Sequence, residues 1–368
     1  MAWEWELHHL HKGIAAVEEQ HQHNLYRYQE QPSAEERYRC YGSLSHDWFY
    51  FEFADQMSFF WQQNNPTSIP LPNFYPPAFW NTRALWITSP AVQLYNRIDR
   101  LYAQVGFGNL EARVGKQVVP LGASHIFPAL NQSPPYPYTV LDAEFPVTMD
   151  AVSVKLTGPL TLHGRFMPRM LQQNEDNFHV WAQTNLGATD IGVVAGVSDD
   201  KDFAGMEMTA NALESVFHAE AVMYRNEQRA SFGQAVVGWD RVLTKKWSIE
   251  LEGYYNGFGT IGGYTLTPYR HISTLFRGVW YVGGHVTFEA GDRTKIHLLS
   301  IVNGADPSTL SQLSVSFSLG DNLDLLFAQL VTYGGSDSEF GSALPLPQAP
   351  LISWGTPSIS YAVLRYVF

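Results

Sequence analysis

Residues 313–319 read Leu-Ser-Val-Ser-Phe-Ser-Leu. Successive side chains of an extended chain point to opposite faces, so Leu313, Val315, Phe317 and Leu319 share one side and Ser314, Ser316 and Ser318 the other. The same period of two flanks the break Leu243-Thr-Lys-Lys246, with Ala235, Val237 and Trp239 before it and Trp247, Ile249 and Leu251 after it. At the C-terminus Ala362, Leu364, Tyr366 and Phe368 fall on one face, and Tyr361, Val363, Arg365 and Val367 on the other. The pattern predicts strands with one apolar face. A membrane helix would need a run of roughly 18 to 20 apolar residues, whereas the longest aromatic run, Trp48 to Phe53, already contains Glu52.

Reading back from Phe368, short and long connections alternate. The tight ones lie at 319–322, 290–293, 243–246, 211–214, 185–187, 157–159 and 107–109. Between them come longer, Gly-, Pro- and Ser-rich segments, the largest at 334–355, 257–277, 119–147 and 62–92. Short turns on one side and long loops on the other are the rhythm of an outer-membrane β-barrel, with the turns periplasmic and the loops extracellular. The expectation is one all-β domain over 1–368, a single transmembrane antiparallel up-and-down barrel. Sixteen strands are drawn from Asp47 to Phe368, and two more near 3–11 and 24–41. Eighteen is the expected count; sixteen is the alternative, with 1–45 as a periplasmic N-terminal segment.

Composition agrees with lipid contact: 14% of the 368 residues are aromatic and only 16% charged, respectively high and low for a soluble chain of this length. In hydrocarbon every backbone polar group must be paired within the protein, and without spanning helices a closed barrel is the remaining solution. The formal net charge of −12 and the lack of a basic run argue against nucleic acid, whose phosphates need clustered cations. Cys40 is the one cysteine and forms no internal disulfide. The opening Met1-Ala-Trp-Glu-Trp-Glu lacks the basic start and apolar middle of a secretory leader, so the expectation is an outer-membrane protein whose signal peptide is absent from this chain.

Two stretches carry a resemblance. The closing strand, with Tyr366 and Phe368 on one face, resembles the C-terminal membrane-insertion signal of bacterial outer-membrane proteins, which implies recognition by the barrel-assembly machinery. The segment Arg97 to Gln117, containing Glu-Ala-Arg-Val-Gly-Lys-Gln, is followed by Leu141-Asp-Ala-Glu-Phe145 and Asp150-Ala-Val-Ser-Val154. Together these resemble a proteobacterial porin-like group that includes alginate-export-type barrels. Lys116 replaces that group's usual Arg, and Thr148-Met149 its usual Gly-Val.

A barrel of sixteen to eighteen strands is wide enough for an aqueous lumen. By strand phase its wall residues include Arg100, Tyr102, Gln104, Glu111, Arg113, Gln117, His218, Glu220, Glu250, Glu252, Tyr281, His285, Glu289 and Arg365. Two loops, at 69–80 and 119–138, are dense in Pro and aromatic residues, and at least one is expected to fold into or over the mouth. Phosphate-loop, nucleophile-elbow and calcium-loop motifs are missing, and no Cys-x-x-Cys-His provides a haem attachment. The histidines at 8, 9, 11, 21 and 23 read as solvated polar residues rather than metal ligands. The sequence therefore points to a channel for small hydrophilic solutes without enzymatic activity, metal or cofactor, in contact with outer-membrane lipid. The alternative is a sheath or export conduit around a periplasmic or lumenal partner, either a multihaem cytochrome or an exported polysaccharide. Oligomeric state is left open.

Overall fold

A computed structural model describes residues 3–21, 28–62, 82–89, 91–119, 121–130, 148–168, 177–198, 201–225, 231–262, 276–335, 338–341, 345–346, 349–353 and 358–368. Its strands are β1 (Glu4–His21), β2 (Tyr28–His46), β3 (Phe49–Gln62), β4 (Arg83–Thr88), β5 (Val92–Phe107), β6 (Leu110–Val118) and β7 (Thr148–Leu156). There follow β8 (Leu160–Met167), β9 (Asn177–Leu186), β10 (Thr189–Ser198), β11 (Lys201–Ala212), β12 (Ser215–Arg225), β13 (Ser231–Thr244) and β14 (Trp247–Asn256). The last are β15 (Trp280–Gly291), β16 (Thr294–Asn303), β17 (Ser308–Ser318), β18 (Leu323–Tyr333), β19 (Pro345–Leu346), β20 (Ala349–Ser353) and β21 (Ser358–Val367).

Eighteen of these, all but β4, β19 and β20, form one closed antiparallel barrel. Each wall strand pairs with its neighbours in sequence, and β21 closes the ring between β18 and β1. Closure extends to the last residue: the His9 N–H donates to the Phe368 carbonyl at 3.0 Å, and the Phe368 N–H to the His9 carbonyl at 3.1 Å. The expected strand count is met. The first two strands are longer than expected, because β1 and β2 pair from Glu4↔Ser45 to His21↔Tyr28. Three short strands were not foreseen. β4 pairs with β5 over Arg83↔Arg97 to Thr88↔Gln93, continuing the lane that β6 leaves at Lys116↔Leu101, while β19 and β20 form a small separate hairpin.

The alternation in sequence becomes the two surfaces of the wall. Leu313, Val237, Val282, Met206, Phe327 and Leu364 are exposed on the outside, while Ser314, Glu252, Val236 and Tyr361 on the opposite phase are buried. Aromatic residues gather where strands reach the short turns: Trp48 stacks with Phe107 at 6.4 Å, Trp247 with Phe288 at 4.4 Å, and Tyr366 lies 5.4 Å from Phe368. This is the interfacial girdle of a transmembrane barrel.

The period slips once in a way that matters below. In the β3–β5 ladder Ala54 faces Arg100 and Asp55 faces Ile98, so Asp99 is an extra residue. A bulge of this kind shifts the face of everything beyond it. Above Asp99, residues Gln93, Tyr95 and Arg97 turn inward; below it, Arg100, Tyr102 and Gln104 do.

The β11–β12 turn places two L-residues, Leu213 and Glu214, at φ 54° and 57°. Such a turn suits Asn-Gly, since a left-handed L-residue costs about 1–2 kcal/mol. The double substitution L213N/E214G is expected to stabilise the barrel by about 1–2 kcal/mol, read as a higher urea midpoint in lipid vesicles; an unchanged or lower midpoint would contradict the turn geometry.

Candidate functional site

After β6 the chain leaves the wall, and residues 121–130 lie against the inner face of β11 to β15. The contacts follow the inner wall toward that face: Val119 packs with Ala151 of β7 and Met167 of β8, and Leu121 with Val194 of β10. Two carboxylates anchor it. Glu220 of β12 accepts the N–H groups of Ala123 at 2.5 Å, Ser124 at 2.6 Å and Leu130 at 3.0 Å, together with the Ser124 hydroxyl at 2.7 Å. Glu252 of β14 accepts those of His125 at 2.6 Å, Ile126 at 3.0 Å and Phe127 at 2.8 Å, and its Oε1 lies 2.9 Å from His218 Nε2. Backbone amides of an irregular segment have no ladder to satisfy them, and here two charged acceptors do so.

Apolar packing completes the attachment. Leu121, Ile126, Phe127, Ala129 and Leu130 are buried in one cluster with Val194, Phe203, Val222, Tyr224, Val236, Tyr254 and Tyr281. Phe127 stacks on Tyr254 at 5.1 Å, and the Tyr224 hydroxyl donates to the Ala129 carbonyl at 3.3 Å. Two glycines make the approach possible. Gly122 has φ +93° and sits directly on the Glu220 carboxylate, while a Cβ on Gly283 of β15 would stand 2.8 Å from both Ile126 and Phe127. The inward loop matches the expectation for 119–138, of which 131–138 lies outside the described residues, as does all of 69–80.

The strand ladders place all fourteen predicted wall residues on the inward phase, but in different surroundings. Glu220, Glu252, His218 and Tyr281 are 2–3% exposed; the loop and its apolar cluster cover them, so they are not the solvated wall groups that phase alone suggested. Gln117 is also buried, its Nε2 donating to the Ala151 carbonyl at 2.8 Å and its Oε1 accepting from Ser153 at 3.0 Å. Arg100 and Tyr102 both donate to Glu52 at 2.7 Å, and Arg113 donates to Gln104 at 2.7 Å while lying 4.8 Å over the Tyr102 ring. Glu111 pairs with Arg113 at 3.4 Å, and Arg365 with Asp324 at 3.5 Å. Across the lumen, Glu250 lies 3.2 Å from His285 and Glu289 3.2 Å from Lys295.

Several inward groups were missed. Arg39 bonds Asp99 at 2.5 Å, with Arg97 3.6 Å from the same carboxylate, and Glu35 takes Arg37 at 2.6 Å. The Asp99 bulge hides Arg97 from a strict count of two. Opposite, Asp240 is 3.3 Å from His218 and 3.8 Å from the loop's His125, which is 3.9 Å from Glu250. Guanidinium groups collect on β2, β5, β6, β8 and β21, several of them beside a carboxylate, while carboxylates set among imidazoles collect on β11 to β16. The two words of the family resemblance also meet, through a 3.0 Å Lys116–Asp150 ion pair.

This arrangement is that of a wide transmembrane barrel with an inward-folded loop. No protein-family model matches the sequence, and no curated protein sequence does so either. Solved structures match along almost the whole chain. OccAB4 of Acinetobacter baumannii has a TM-score of 0.60 at 9% identity, and OccK8 (OprE) of Pseudomonas aeruginosa 0.59 at 8%; each comparison covers 99% of this chain and 98% of the other. A mutant of Rh. blastica porin aligns over 99% of this chain and all of its own, at 10% identity and a TM-score of 0.49. At these identities the likeness to OccAB4 and OccK8 is one of fold.

If the two carboxylates hold the loop, Glu220→Ala with Glu252→Ala should free it, since a hydrogen bond to a charged group contributes about 1.5–3 kcal/mol. Amide hydrogen exchange across 121–130 is expected to accelerate strongly and single-channel conductance to rise. Exchange as slow as in the parent chain would show that the apolar cluster alone holds the segment.

Proposed function

We propose that the protein is an outer-membrane channel for the passage of small hydrophilic solutes. One observation carries this reading: an eighteen-stranded barrel holds a loop against its inner wall and keeps accessible charged groups on the inner face beside it. Such a loop narrows a bore that eighteen strands alone would leave wide. Arg100 and Arg113 keep a quarter or more of their side-chain surface accessible, as do Glu250 and His285. Charged walls beside low-dielectric protein focus the field and act on solute dipoles as well as on net charge. The residues we assign to the passage are Arg100, Gln104, Glu111, Arg113, Glu250, His285, Glu289 and Arg365, joined by Asp240 and His125. Tyr366 and Phe368 serve as the insertion signal for the barrel-assembly machinery, and the apolar exterior meets outer-membrane lipid. Passage of this kind requires no catalytic centre, metal or cofactor of the chain.

Reconstitution in a planar bilayer tests the reading. The purified protein should open at rest, with ohmic conductance set by a water-filled lumen. Replacing both Asp240 and Glu250 by their amides should move the reversal potential in a KCl gradient toward chloride, while R100Q/R113Q should move it toward potassium. A silent bilayer, together with copurification of a haem protein or a polysaccharide, would favour the sheath or export reading instead.

A further inference from the structure

Glu339 lies in the described stretch 338–341, within the connection from β18 to β21, and is 1% exposed. Its Oε1 accepts the Arg277 N–H at 2.6 Å, and its Oε2 accepts Asn303 Nδ2 at 2.8 Å and the Tyr281 hydroxyl. Its own N–H donates to Asp306 Oδ2 at 3.0 Å. These partners come from separate connections at the end of the barrel opposite the short turns: Arg277 precedes β15, while Asn303 and Asp306 join β16 to β17. The next residue, Phe340, is fully buried 6.5 Å from the Tyr281 ring, and that ring lies 6.0 Å from Phe127 of the inward loop. One carboxylate therefore ties three outer connections to each other and, through Tyr281, to the inward segment 121–130.

We propose that Glu339 is a proton-operated latch of the outer mouth, which holds segment 338–341 inward when neutral and loosens it when ionised. An ordinary surface ion pair would not behave this way. The ionisable groups around the carboxyl are Asp306, Tyr281 and Arg277; Arg277 offers it a backbone N–H, and Asp306 opposes its charge. Burial first, and Asp306 in addition, raise the carboxyl from its usual 4.5 to about 7, against the pull of its three hydrogen-bond donors. A raised carboxyl favours the tucked state in full below the free value of about 4.5, and the advantage is lost as pH climbs through that value toward 7. The mouth is thus tightest in acid and loosest above neutrality.

Thiol labelling reads this directly and does not depend on the protein conducting, so its failure is separate from any failure of the channel reading. Cys40 is first replaced by Ser. S338C, at a buried position in the latch, is then compared with Y333C, at an exposed position on the strand below, as the pH reference for maleimide reactivity. Between pH 5.5 and 8.5 the ratio of their rates should rise by about an order of magnitude, and adding E339Q should make the ratio flat and low. A pH-independent ratio in the Glu339 chain, or an equal rise with E339Q, would overturn the latch. Conductance supplies the second reading: where the bore conducts, the E339Q channel should lose the alkaline component of its opening.

Discussion

Hydrocarbon offers no partner to a peptide group, and that constraint governs the seam where β21 meets β1. A sheet in lipid must have no edge, so the last strand has to find the first. The exchange of hydrogen bonds between His9 and Phe368 completes the ring at its final residue. Phe368 then stacks on the His9 ring at 5.5 Å and stands beside Tyr366 in the girdle. The aromatic terminus therefore serves both ladder and interface. A two-residue loss would remove the final pairings of the seam and the anchor together.

The interior answers a different problem. Eighteen strands enclose more space than their own side chains fill, and the wall alone would leave polar groups and apolar residues facing the same water. The inward segment answers this by covering part of the inner wall. Its amides take the carboxylates of Glu220 and Glu252, and its Phe and Leu side chains take apolar inward residues of β10 to β15. Small side chains on the wall, such as Gly283, leave the volume into which the segment fits. The other inward charges gather around Asp99 and Glu52 on one side and, beside the segment's own His125, around Asp240 and Glu250 on the other.

Much of the barrel was legible because two periods coincide. A period of two along each strand and the alternation of short and long connections are both consequences of one topology, so each checks the other. Strand phase likewise put Glu220, Glu252 and Arg113 on the inner face. It did not separate a buried anchor from a wetted wall group, since both obey the same alternation. That distinction depends on where residues 121–130 come to rest, which is a matter of tertiary contact. The density of Pro and aromatics in 119–138 marked the segment as stiff and packed without marking its partners. The bulge at Asp99 left no sign in the sequence, for Ile-Asp-Arg-Leu reads as well in regular register as out of it, and Arg97 was lost from the inner face for that reason. Glu339 sits among Gly and Ser in what reads as an outer loop, and its burial arises only when three connections converge.

The inward segment rests on one flank of the cylinder instead of spanning its axis. Its two anchors, Glu220 and Glu252, stand on β12 and β14 with only β13 between them. A clasp on next-but-one strands of a continuous ladder cannot be opened by any hinge in the wall, so the segment is released only by breaking its own contacts.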